Sequence, residues 1–163
     1  MTRLSRNRRL SSAYSLMDEL LASATEPMPA ASQNYQLTRI YQGLTALESA
    51  TEPTVNDWHL VADGYNMMET LVLEMKVCID ACGLLQDASR AMYLAGQKHL
   101  SGGSLRLAGD GAKAVRAVVE DYAEVIAQVP HRLMIKCHRL TEKRVQRIKT
   151  GQPQPHDVKV IAL

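Results

Sequence analysis

From Trp58 to Cys82, apolar side chains recur at alternating steps of three and four residues: Trp58, Val61, Tyr65, Met68, Val72, Met75, Ile79 and Cys82. That is the helical period, held for more than three heptads, and a strand cannot gather such a row on one face. A second row, Leu60, Met67, Leu71, Cys78 and Leu85, widens the stripe beyond a narrow coiled-coil seam. The pattern drifts on through Ala88, Met92 and Ala95, with Gly83 and Gly96 as weak points. Two readings stay open: one helix from Thr54 to about His99, or two segments kinked near Gly83. At about 1.5 Å per residue a continuous helix would reach roughly 65–70 Å, a length that suits an elongated bundle or a dimer. Thr54 and Asp57, three residues apart, resemble a helix start.

The remainder of the chain is helical in the same sense. Tyr14, Leu16, Met17, Leu20 and Leu21 give an apolar side to a helix from Ser11 or Ser12 to about Ala24. Pro27 and Pro29 end it, because proline cannot sit inside a helix. Leu37, Ile40, Tyr41, Leu44 and Leu47 mark a second helix, about Gln33 to Ser49, closed by the Pro-containing stretch 51–54. The Gly-rich stretch 101–111 is a turn from which Asp110 caps a helix bearing Val115, Val119, Tyr122, Ile126 and Val129. Pro130 opens the last helix and Gly151 stops it. With no Phe, eight Met and only 4% aromatic residues, the composition favours helix over sheet. The fold class expected is all-α, a bundle of about five helices packed antiparallel around the central segment. A chain of 163 residues is the size of one domain. It divides into a basic arm (1–10), the bundle (11–149) and an extended Pro-containing tail (150–163), whose end "DVKVIAL" is β-like and apolar.

The net charge of +2 hides a separation of sign. Residues 1–9 carry Arg3, Arg6, Arg8 and Arg9 with no acid, and residues 10–130 carry seven basic against fifteen acidic side chains. Residues 131–149 return to seven basic against the single Glu142. On a helical wheel Arg132, Lys136, Arg139, Lys143 and Arg147 fall in a sector about 80° wide, beside an apolar sector of Leu133, Met134, Cys137, Leu140, Val145 and Ile148. Three like-charged pairs at i,i+4 in this row (132/136, 139/143 and 143/147) each destabilise an isolated helix by a few tenths of a kcal/mol. Relief is available from nucleic-acid phosphate, from the protein's own acidic middle, or from an acidic protein or membrane surface. Together with the arginine arm, the row points to a non-enzymatic nucleic-acid-associated or regulatory protein that grips a polyanion by its backbone. Neither a helix-turn-helix junction nor aromatic residues between 123 and 163 support base reading or stacking. The alternative is a protein-interaction module or inhibitor that uses the helical surface or the tail.

Other chemistry finds little support. Cys78, Cys82, Cys137 and His138 are possible zinc ligands, but the cysteines lie on apolar stripes, where free Cys packs as a small hydrophobe. His59, Asp63, Asp57 and Glu69 read as a surface polar cluster without the Glu-x-x-His pairs of a di-iron bundle. Lys113 after Gly111 does not complete a phosphate loop, and no nucleophile elbow occurs, so no catalytic residue, metal or cofactor is expected. No stretch approaches a membrane span, and Asp18 and Glu19 interrupt any signal-peptide core. The odd cysteine count fits a reducing compartment, so the expectation is a cytoplasmic homodimer.

Overall fold

The computed structural model describes residues 13–80 and 83–151. Among them the chain is all-α: six helices packed as a bundle, with no strand. They are α1 (Leu16–Leu21), α2 (Ala30–Ser49), α3 (Val55–Glu69), α4 (Leu84–Leu100), α5 (Gly109–Gln128) and α6 (His131–Lys149), with a single π-helical turn, Thr70–Glu74, extending α3. The arginine arm, Cys82 and the "DVKVIAL" tail lie outside the described residues.

Local chemistry sets most of the boundaries. Thr54 Oγ1 accepts from the Asp57 N–H at 3.2 Å while Asp57 Oδ2 accepts from the Thr54 N–H at 2.8 Å, a reciprocal cap at the start of α3. Ser15 and Asp18 build the same device for α1. That helix therefore starts later and is much shorter than the Ser11-to-Ala24 span its apolar residues predict. Pro29 precedes α2, and Ala108, not Asp110, is the N-cap of α5; Asp110 sits in the first turn and pairs with Lys113. The N-terminus of α6 has no side-chain cap. Its orphan donors are met by the loop after α1 instead: His131 N–H donates to Glu26 O at 2.8 Å and Arg132 N–H to Ser23 O at 2.9 Å.

The central segment is two helices, and the break falls where the Gly83 alternative placed it. After the π turn Lys76 takes a left-handed φ of 53°, and Gly83 takes 69° as the N-cap of α4. Asp80 replaces the missing cap bonds, accepting from Leu84 N–H at 2.9 Å and Leu85 N–H at 3.2 Å. Breaking here lets α4 turn back and bury Leu85, Ala88 and Met92 against α3 and α5. A helix of 65 Å would have left those faces in water. Ile79, on the apolar row by spacing, lies in the break and is 84% exposed.

α2 lies along α3 and α4 along α5, with α3 in contact with α2, α4, α5 and α6. The connections of a few residues between partners return the chain antiparallel. Trp58 sits at the centre, fully buried, with its indole Nε1–H donating to Met92 O at 3.3 Å. At Gly43 a Cβ would stand 2.6 Å from Asp57 O, so the glycine is what lets α2 and α3 approach this closely.

Candidate polyanion-binding ridge and the cleft beside it

The five cations of the predicted row divide into two sets. Arg132 Nη2 and Nε donate to Leu20 O and Ala22 O, at 3.0 and 3.2 Å, which places a positive charge on the carbonyl end of α1. Arg139 is ion-paired with Glu19. These two side chains hold α1 on α6, and Glu142 adds a third tie by accepting from Ala13 N–H at 2.9 Å. Arg132 and Arg139 are thus engaged within the protein. Part of the acidic body does neutralise the row.

The docking turns α1 over. Glu19 faces the protein, while Leu16, Met17, Leu20 and Leu21 are 56–79% exposed, and no residue of α1 is buried. The apolar side that these residues give the helix is turned to solvent, because the ion pair and the carbonyl bonds, not apolar burial, set its orientation.

Lys136, Lys143 and Arg147 are the remaining set. All three are exposed, and no ion pair among the described residues involves them. Their directions on the helix agree to within about 40°, and Lys136 and Arg147 are separated by about 16 Å along the axis. This is the cationic ridge of α6. Arg3, Arg6, Arg8 and Arg9 lie outside the described residues.

A further basic residue of α6 lies outside the row. Arg144 is buried, and its Nη2 donates to Glu69 Oε2 at 2.6 Å and its Nη1 to Thr70 Oγ1 at 2.9 Å. Glu74 Oε1 stands 3.6 Å from Arg144 Nε, in ion-pair range but beyond hydrogen-bond length. Tyr65 donates its hydroxyl to Glu69 Oε1 at 2.9 Å, and Thr141 donates to Thr70 Oγ1 at 2.8 Å. Glu69 is therefore no surface residue: it is fully buried, and burial raises its pKa against the opposing pull of Arg144. The π turn has a local purpose here. Residues 69 and 74 would point about 140° apart on an α-helix, and the wider turn brings both carboxylates toward one guanidinium.

Between the start of α1, α3 and the C-terminal half of α6 lies an open cleft of about 1000 Å³. Lys143 and Arg147 stand on its wall with Asp63, Asn66, Met67 and His138. The rings of Tyr14 and His138 meet there with centroids 5.2 Å apart and planes at 53°. Burial holds the His138 pKa below the ordinary imidazole value, with Glu142 pulling the other way. Asp63 keeps contact with solvent, yet the protein around it raises its pKa, opposed by His59 and Arg39. Asn66 is 5% exposed, and its Oδ1 has no hydrogen-bond partner among the described residues. Aromatic rings absent from the sequence around α6 thus reach it from elsewhere in the fold.

Of the three cysteines, Cys78 and Cys137 are among the described residues. Cys137 is buried with Sγ 3.4 Å from Met67 O, and burial pushes its thiol up to about 12. Among the described residues no group of three or more His, Cys, Asp or Glu side chains is placed to hold a metal ion, and no helix is long and apolar enough to cross a membrane. No protein-family model, curated protein or solved structure matches this chain.

Proposed function

We propose that this is a small non-enzymatic, cytoplasmic nucleic-acid-associated or regulatory protein, which holds a polyanion by its phosphate backbone. The observation that carries this reading is the ridge of Lys136, Lys143 and Arg147, three aligned and exposed cations left outside the ion pairs that fix α1 and the core. The like-charged pair Lys143 and Arg147 enters no ion pair among the described residues, and a phosphate chain supplies the opposite charge. The arm Arg3, Arg6, Arg8 and Arg9 adds to the same charge. With about three phosphates engaged by the ridge, log K against log salt should fall with a slope of about −2 to −3. Anisotropy titrations of single-stranded DNA, duplex DNA and RNA from low to physiological salt read that slope. The triple change Lys136→Gln, Lys143→Gln, Arg147→Gln should flatten it for all sequences alike. An unchanged slope in that variant would remove α6 from the reading.

A second reading draws on the outward face of α1. Four large apolar side chains on one short helix form a patch of the kind that marks an interface, and a second copy of this chain is the partner that fits a homodimer. Light scattering should then give a dimer for the native chain and a monomer for Leu16→Ser with Leu20→Ser. A native monomer at high concentration would dispose of this reading.

A further inference from the structure

We propose that the cleft between α1, α3 and α6 is a binding site for a nucleoside monophosphate, a ligand with an anionic phosphate at one end and a flat heteroaromatic ring bearing N–H donors at the other. This goes beyond the ridge reading, since a single nucleotide needs neither a polymer nor Lys136.

Three features of the cleft select that chemistry. α6 contributes Lys143 and Arg147, the two ridge cations that also line the cavity; Arg139 is paired with Glu19, and Glu142 accepts from the Ala13 amide while keeping its own negative charge. A phosphate on this side meets two charges that enter no ion pair among the described residues. The middle of the cleft offers the Tyr14 and His138 rings together with Met67, surfaces on which a base can stack. On α3, Asn66 Oδ1 is buried with no hydrogen-bond partner among the described residues, a costly arrangement that a ligand N–H would relieve once the amide turns toward the cleft that it lines. Asp63, on the same helix, is exposed and is a further acceptor that disfavours a second anion on that side. The cations come from α6 and the acceptors from α3, so the two kinds of group stand on different walls of the cleft. The volume of about 1000 Å³ accommodates a mononucleotide with room for water.

Calorimetric titration of the full chain with AMP, GMP, CMP and UMP, and with adenosine and inorganic phosphate as partial probes, tests this. At least one nucleotide should saturate at one per chain, with each partial probe at least tenfold weaker. Asn66→Ala should weaken that nucleotide at least tenfold while leaving the urea midpoint unchanged or higher, because the substitution removes a buried unpaired atom. Lys143→Gln with Arg147→Gln should weaken both the nucleotide and long polyanions, and Lys136→Gln only the polyanions. Saturation by none of the four nucleotides overturns the proposal. So does equal binding of phosphate alone, an anion site only, or undiminished binding by Asn66→Ala. Binding that emerges only once residues 1–12 are deleted would assign the cleft to the chain's own arm, and also overturns it. A failure here with polyanion binding intact leaves the ridge reading standing, and the reverse outcome separates the two equally well.

Discussion

Arg144→Ala will cost the fold about 3–5 kcal/mol, measured as a shift of the urea midpoint at pH 7. The loss comes less from an attraction given up than from what remains: Glu69, fully buried, is left with no cation beside it, and Glu74 stands close by. Tyr65 stays as its hydrogen-bond donor, but it carries no charge. The double change Glu69→Met with Arg144→Met should recover most of the stability, because no unpaired ion is left inside. The pH dependence follows with a definite sign. Burial already raises the Glu69 pKa above its ordinary 4.5, and losing Arg144 raises it further. A carboxyl whose folded pKa lies above its unfolded value favours the fold in its protonated form. That contribution is complete below about pH 4.5 and disappears as pH rises through the folded value. The deficit of Arg144→Ala should therefore be smaller at pH 5 than at pH 8. A deficit under about 1.5 kcal/mol, or one independent of pH, would mean that water reaches Glu69 and that the network is not a sealed core element.

Trp58→Ala is expected to cost a similar amount, about 3–5 kcal/mol. The indole is fully buried, and its loss opens a cavity among α3, α4 and α5 where Val61, Met92 and Val119 belong to the same core. Trp58→Phe separates the two parts of that loss. It retains most of the ring volume and surrenders the bond to Met92 O, so about 1–2 kcal/mol should go. Trp58 is the chain's one tryptophan, so the native protein's own emission follows its unfolding. The two variants need far-ultraviolet circular dichroism instead. Near-equal losses for Ala and Phe would place the energy in the hydrogen bond and contradict the packing account.

The ridge and the docking cations were not separable by sequence. All five of Arg132, Lys136, Arg139, Lys143 and Arg147 belong to one sector of α6, and their spacing is the same whether they meet solvent or protein. Which two are engaged depends on where the short α1 lands, a contact more than a hundred residues away along the chain. Arg144 and Glu69, by contrast, leave a signal in the sequence. Glu69 falls about 20° from Trp58 on the α3 wheel, and Arg144 falls inside the apolar sector of α6 between Leu140 and Val145. Opposite charges, each in the middle of an apolar stripe, are the pattern of a buried pair. Asn66 offered no such clue, because an amide among Tyr65, Met67 and Met68 looks the same whether its oxygen is bonded or bare.

By itself, the sequence determined that this chain is helical, where most of its helices begin and end, and that charge gathers at one end of it. Those properties are local: a 3.6-residue period, a proline, and a hydroxyl three residues from a carboxylate act within a turn or two. Tertiary structure alone decided that the central stripe breaks into α3 and α4, that α1 docks with its apolar side outward, and that three cations of five stay exposed. Each of those outcomes compares the energies of groups far apart in sequence, burial against ion pairing and one partner against another. Periodicity registers which face a residue occupies and carries nothing about what arrives to meet it.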